Sequence, residues 1–332
     1  MKRINLCMSG GRTSAYMVEN ILELNQVGCF HDTEFVITFA NTGREHPKTL
    51  EFVNNCDLMW RKNYANKVVW LEAVVHDGKK PCSHKVVDFD TADRDGDVFE
   101  EVVAKYSLPN GTFLHCTREL KENPIMSYME SLGEKKGHIK NKRLISATYE
   151  TWIGIRQDEP KRLNGNIHGK QLKHYPLAWG VKDDGYDYKA NVKFADASLI
   201  TDIIVDKQDV LDFWETMPFN LELPEHLGNC VDCHKKSFKK LKMVYNDMGE
   251  KIFHFTAFLD NQYSTTKAQV LDGRIIERKR FRGYKDTKEL IGMFKEIDIE
   301  TKDRSDESGG CSESCEAFME SNEPESETIL SK

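Results

Sequence analysis

Ser9-Gly10-Gly11-Arg12-Thr13-Ser14 is the stretch on which the fold turns. The apolar run Ile4-Asn5-Leu6-Cys7-Met8 precedes it and residues 15–24 follow with helical spacing, so a strand, a glycine turn and a helix start fall close together. That order gathers backbone N–H groups and hydroxyls at a helix N-terminus, where a phosphate can sit. The glycines permit positive φ and close approach of backbone to ligand. Ser9, Thr13 and Ser14 offer hydroxyls to phosphate oxygens or cap the helix. For the hexapeptide alone, an ordinary strand-to-helix turn with a capping serine is the plain alternative.

Further strand-like runs at residues 35–40, 68–75 and 143–148, with helical patterns at 15–24 and 49–61, predict an α/β fold. Such alternation argues a doubly wound, mostly parallel sheet covered on both faces, which binds ligands beyond the carboxyl ends of its strands. The glycine turn lies at one such end. Asn41-Thr42-Gly43-Arg44-Glu45-His46-Pro47 follows the second strand and faces the same crevice. Residues 77–110, with Asp88, Asp90, Asp93, Asp95 and Asp97, lack the terminal Glu of a calcium loop and read as a solvated insertion.

At 332 residues and 39% hydrophobic, the chain is long enough for a substantial core. No apolar run approaches the roughly 20 residues that span a bilayer, and Met1-Lys2-Arg3 leads straight into a strand pattern, so a cytoplasmic protein without a membrane partner is expected. The formal charge of −7 resides wholly in residues 303–332, where nine Asp/Glu face two Lys/Arg. This segment, with Cys311 and Cys315, reads as a disordered acidic tail. Residues 241–302 read as a small C-terminal extension of a 1–240 nucleotide-binding domain, with a hairpin turning at Asp272-Gly273 and packing on the side of Cys230 and Cys233.

Nine cysteines without a secreted framework point to reduced thiols, metal ligation or redox chemistry. Cys7, Cys29 and Cys56 read as small buried hydrophobes, whereas Cys230-Val231-Asp232-Cys233 has ligand spacing by itself. Cys116 sits in His115-Cys116-Thr117-Arg118-Glu119-Leu120-Lys121, where a helix start with Arg118 and Lys121 favours thiolate or anion contact. If the fold joins Cys116 to Cys230 and Cys233, three thiolates hold a metal or an iron–sulfur cluster; otherwise they are a capping turn and an accidental Cys-x-x-Cys. Arg156 and Arg162 suit bidentate phosphate or sulfate contact. Two basic runs, Lys235-Lys236-Ser237-Phe238-Lys239-Lys240-Leu241-Lys242 and Arg278-Lys279-Arg280-Phe281-Arg282, suit a nucleic-acid partner, or a solvated helix face for the first.

The order of these motifs, together with Gly154-Ile155-Arg156, Tyr175-Pro-Leu-Ala-Trp179, Asp209-Val-Leu-Asp-Phe-Trp214 and Gly228-Asn-Cys-Val-Asp-Cys233, resembles the phosphoadenylyl-sulfate reductase-like branch of the PP-loop (N-type ATP pyrophosphatase) superfamily. The resemblance spans residues 1–240. It implies a sheet of the adenine nucleotide alpha hydrolase-like, HUP type that binds ATP or adenylyl sulfate. Ser9, Gly10, Gly11, Arg12, Thr13 and Ser14 then surround phosphate or sulfate, Thr42 and Gly43 lie near base or ribose, and Arg118, Lys121, Arg156 and Arg162 contact anions. It further implies a [4Fe–4S] cluster on Cys116, Cys230 and Cys233 with His115 in place of the first cysteine of the family's pair, zinc on the same residues or His234 being the alternative. Thr13 replaces the usual acidic residue of the glycine loop and Asn41 the usual Asp, which weakens Mg²⁺ binding there. The C-terminal Glu-Cys-Gly-x-His type of nucleophile is absent from the sequence. The implied activity is sulfur transfer or ATP-dependent adenylylation and thiolation; the alternatives are an adenylyl-sulfate reductase releasing sulfite, or a non-catalytic nucleotide- or nucleic-acid-binding protein with structural zinc.

Overall fold

The computed structural model describes residues 1–136, 148–156, 205–267 and 274–296, and the backbone of strands His138–Lys140, Arg143–Ile145, Leu177–Lys182, Val192–Phe194 and Gln269–Leu271. Arg162, Cys311, Cys315, the acidic tail and the Asp272-Gly273 turn lie outside the described residues.

The chain begins with β1 (Lys2–Met8), whose alternate residues go to opposite faces of the sheet. Ile4, Leu6 and Met8 enter the main buried cluster with helices α1 (Arg12–Gln26) and α2 (Pro47–Tyr64), while Cys7 enters a smaller cluster on the other face. Beside it run β2 (Thr33–Ala40) and β3 (Val68–Val74), both parallel to their neighbours. The chain then adds β4 (Ser83–Val87) antiparallel at the edge, turns into α3 (Asp97–Tyr106), and passes a π-helical turn, Arg118–Glu122, into α4 (Asn123–Ser131). After a small antiparallel pair, β5 (His138–Lys140) and β6 (Arg143–Ile145), it returns as β7 (Tyr149–Arg156), parallel to β1 on its free side. β8 (Leu177–Lys182) and β9 (Val192–Phe194) continue antiparallel. The order is β4-β3-β2-β1-β7-β8-β9, a parallel centre of four strands with antiparallel edges.

The strand order reverses between β1 and β7, and an α/β sheet opens its binding crevice at such a point. Asn5, fully buried, ties the centre together: it accepts from Thr38 Oγ1 at 2.7 Å and donates to Thr151 Oγ1 at 3.4 Å. α5 (Lys207–Thr216) starts with a capping box on Asp206 and packs its Trp214 on α1. α6 (Phe238–Met248), α7 (His254–Tyr263), the hairpin of β10 (Gln269–Leu271) with β11 (Arg274–Ile276), and α8 (Thr287–Glu296) follow. Leu241, Phe253, Phe281 and Phe294 share the main cluster with β1, so the C-terminal extension and the sheet have one core.

Two sequence expectations need correction. The fourth parallel strand is β7, not the run at residues 143–148; Glu150, Thr151 and Gly154 interrupt β7's apolar pattern and hid it. Residues 77–110 are not a solvated insertion, since Val98, Phe99, Val102 and Val103 of α3 are buried and the flanking aspartates masked their helical spacing.

Gly10 has φ +83°, and a Cβ there would stand 2.7 Å from Thr49 Cγ2 and 3.2 Å from the Phe39 ring. Gly10→Ala is expected to lower unfolding free energy by about 1–3 kcal/mol through strain and overpacking. An unchanged urea midpoint would refute the close approach.

Candidate functional site

At the reversal point, a cleft opens between the ends of β1 and β7. Its lining includes Ser9, Ser14, Lys121 and Gly154 together with Cys7, Ile125 and Ile153. Helix α1 starts here: Gly11 stands at its N-cap without a side-chain cap, and Ser14 instead organises the loop. The Ser14 hydroxyl donates to Gly11 O at 3.0 Å, accepts from Ser9 N at 3.0 Å and meets Ser9 Oγ at 3.0 Å. Gly154 lets α1 lie against β7, because a Cβ would stand 3.1 Å from Thr13 O and 3.4 Å from Ser14 Cα. Arg156, at the end of β7, donates from Nη1 to Thr13 Oγ1 at 2.9 Å. Lys121, buried, reaches the cleft from the π-helical turn.

Two expected anion contacts have partners on the chain. Arg12 donates to Asn220 Oδ1 at 2.8 Å and to Leu221 O, pinning the segment after α5, and burial lowers its pKa. Arg118 pairs with its neighbour Glu119 at 2.9 Å with half its side chain exposed.

The loop after β2 carries a feature that spacing did not reveal. Thr42 N and Oγ1 both donate to the Glu45 carboxylate, and Thr42 Oγ1 lies 3.4 Å from Cys230 Sγ. Glu45 and Cys230 form an antiparallel bridge, and Val231 N donates to Arg44 O at 3.3 Å. Arg44 pairs with Asp232, inside the Cys-x-x-Cys, at 3.0 Å, and lies over the Phe255 ring at 4.3 Å. Burial opposes the charge of Asp232, yet Arg44 and Arg280 outweigh it and hold the carboxyl below its ordinary range. Arg280, 2% exposed, rests over Phe99 at 5.3 Å. From the other side, Asn41 donates to Glu72 Oε1 at 2.6 Å and to Asp93 O at 2.8 Å, joining the loop to the aspartate-rich segment. Arg282 Nη2 donates to Lys236 O at 3.2 Å, so the extension packs on the Cys230 and Cys233 side, as the sequence led us to expect.

The thiols fall into distinct buried clusters. Cys230 and Cys233 touch each other, with Cys233 N donating to Cys230 O at 3.2 Å. Cys116 packs with Cys82, Leu120 and Val98. Burial and Glu119 push the Cys82 thiol up to about 12. Burial brings His115 down to about 4, against a bond to the Ser107 backbone, and its buried Nε2 has no hydrogen-bond partner. That orphaned nitrogen suits a metal, although among the described residues no three His, Cys, Asp or Glu side chains stand together as a metal group.

The basic runs are largely used within the chain. Lys236 Nζ, buried, donates to His226 O at 2.6 Å and Val231 O at 2.9 Å, Lys240 pairs with Glu225, and Lys242 reaches Phe294 O. Lys279 pairs with Glu289 and Asp286.

Removing Arg44 leaves Asp232 buried with Arg280 alone. Arg44→Met is expected to cost about 3–5 kcal/mol, the usual penalty for breaking a buried pair. Because the folded Asp232 pKa is depressed, its contribution is present above the unfolded value near roughly 3.9 and is lost as pH falls through the folded value. In Arg44→Met that loss should begin at higher pH, read from urea midpoints between about pH 3 and 7. An acid limb identical to wild type would contradict the pairing.

The chain is similar to the uncharacterized nin region protein ORF290 of Escherichia phage lambda, with 29% identity over 320 residues covering 93% of each chain. No family model matches the sequence, and no solved structure matches it.

Proposed function

We propose that this chain is an adenine-nucleotide-binding enzyme of the HUP type, acting in ATP-dependent adenylylation or in sulfur transfer. The observation that carries the reading is the cleft at the β1/β7 reversal, where Ser9, Ser14 and buried Lys121 converge on the N-terminus of α1. A helix N-terminus, hydroxyls and one ammonium form a site for a phosphate or sulfate. With ATP, a substrate oxygen attacks the α-phosphorus, the bond to pyrophosphate breaks, and Lys121 with the loop N–H groups stabilises the charge gathering on the phosphate oxygens. No carboxylate stands among the described lining residues, so Mg²⁺ arriving with ATP would draw its ligands from the nucleotide and water.

Sulfur chemistry enters through the loop of residues 41–46. Thr42, expected near base or ribose, touches Cys230, so the dithiol lies one hydroxyl away from the second nucleotide loop. A [4Fe–4S] cluster would bring electron or sulfur delivery to these thiols. The reading is supported by the cleft and the dithiol.

Isothermal titration with ATP and with adenylyl sulfate tests the reading. One of them is expected to bind with micromolar affinity, weakened about 10–100-fold by Lys121→Ala through loss of a charge-assisted bond. Pyrophosphate release would assign adenylylation, and sulfite release the reductase alternative. Failure of both nucleotides to bind at millimolar concentration would sink it.

A further inference from the structure

Most cations of the two basic runs pair with or bond to their own chain, whereas Arg278, with Lys105 and Lys267 from outside the runs, sits over aromatic rings. Lys105 and Lys267 lie over the Tyr106 ring at 4.9 and 5.1 Å, and Arg278 lies over Phe113 at 3.7 Å. Four separate segments meet here: the end of α3, the loop at 107–114, the residues after α7, and the exit of the β10–β11 hairpin. The Lys105 ammonium donates to His76 O and Lys80 O, and Arg278 Nη1 donates to Tyr106 O and Leu108 O. These are carbonyl partners. Among the described residues, none of the three cations stands in an ion pair with a carboxylate. Lys267 is exposed, Phe113 retains 38% of its surface, and Ile275 on the hairpin retains 63%. From Lys267 to Lys279 the sequence carries four basic residues against Asp272 and Glu277.

We propose that this face, built on Tyr106, Phe113, Lys105, Lys267 and Arg278, binds single-stranded nucleic acid. Uncompensated cations draw phosphates, and exposed aromatic and apolar surface beside them offers stacking to unpaired bases. A duplex keeps its base faces stacked within itself and cannot use that surface. The face also adjoins the cleft through sequence: His115 stacks on Tyr106 at 5.6 Å, and the segment that begins at His115 carries Lys121 into the cleft. The inference stands independently of the nucleotide reading.

Fluorescence anisotropy of a labelled, mixed-sequence DNA strand of about 20 nucleotides, titrated with the full chain, tests it. Three phosphate contacts predict a slope of log K against log salt near about −2, at roughly 0.7 per contact on a single strand. Lys267→Glu is expected to shallow the slope by about 0.7 and weaken binding, and Phe113→Ala to weaken it about 10-fold with the slope unchanged. Lys62→Glu, the same charge change on exposed α2, should leave affinity within about twofold. Circular dichroism confirms that each variant is folded, and the Lys267 and Phe113 variants test the face separately. No saturable binding at low salt, equal losses in Lys267→Glu and Lys62→Glu, or a duplex bound as tightly as the strand would each overturn the proposal.

Discussion

The buried pair of Arg44 and Asp232 is the constraint around which the carboxyl end of the sheet is arranged. A carboxylate 1% exposed needs a cation at hydrogen-bond distance, and Arg44 supplies it from the loop after β2 across 188 residues of sequence. Once that pair forms, Glu45 bridges Cys230 and Thr42 meets the thiol. Phe255 under Arg44 and Phe99 under Arg280 then bring α7 and α3 against the same turn. The Cys-x-x-Cys is thus fixed by charge in its middle.

The loop of residues 41–46 is held from both sides, whereas the glycine loop combines local serine bonds with long-range bonds at Arg12 and Thr13. Glu72, fully buried, accepts from Asn41 and from Asp93 N, so the aspartate-rich segment closes the outer flank. At the glycine loop the organising bonds run from Ser14 to Ser9 and Gly11, all within six residues. The donors in these bonds, Ser9 N–H and the two serine hydroxyls, are of the kind that an anion's oxygens accept. Arg156 on Thr13 and Gly154 under α1 hold the helix start in place.

Local signals in the sequence were legible where a strand, a turn and a helix are adjacent. β1, the glycine turn and α1 are one continuous segment, and the apolar periodicity of β2, α2 and β3 is strong. β7 was misread because a strand at the reversal point must carry a glycine for helix approach and Thr151 for the bond to Asn5, and both dilute its apolar pattern. α3 was missed for the opposite reason, since flanking aspartates outweighed four buried side chains in the count of polar residues. Contacts over long separations left no trace. Nothing in the spacing of Arg44, Asp232 and Arg280 shows that the fold sets them together, and a lysine run such as 235–242 gives no sign that Lys236 will be buried under backbone carbonyls.

The same reasoning separates the cysteines by role. Cys82 is pushed up to about 12 by burial and Glu119, and burial raises Cys56 as well, so neither offers a thiolate near neutrality. Cys7 stands in the wall of the cleft, on the face of β1 opposite Leu6 and Met8. Its position follows from strand alternation alone: Met8 belongs to the α1 side, so the residue before it must face α4, where the cleft opens. Cys7 thus shares the cleft lining with Ser9 and Lys121, while Cys230 lies beside Thr42 of the loop after β2.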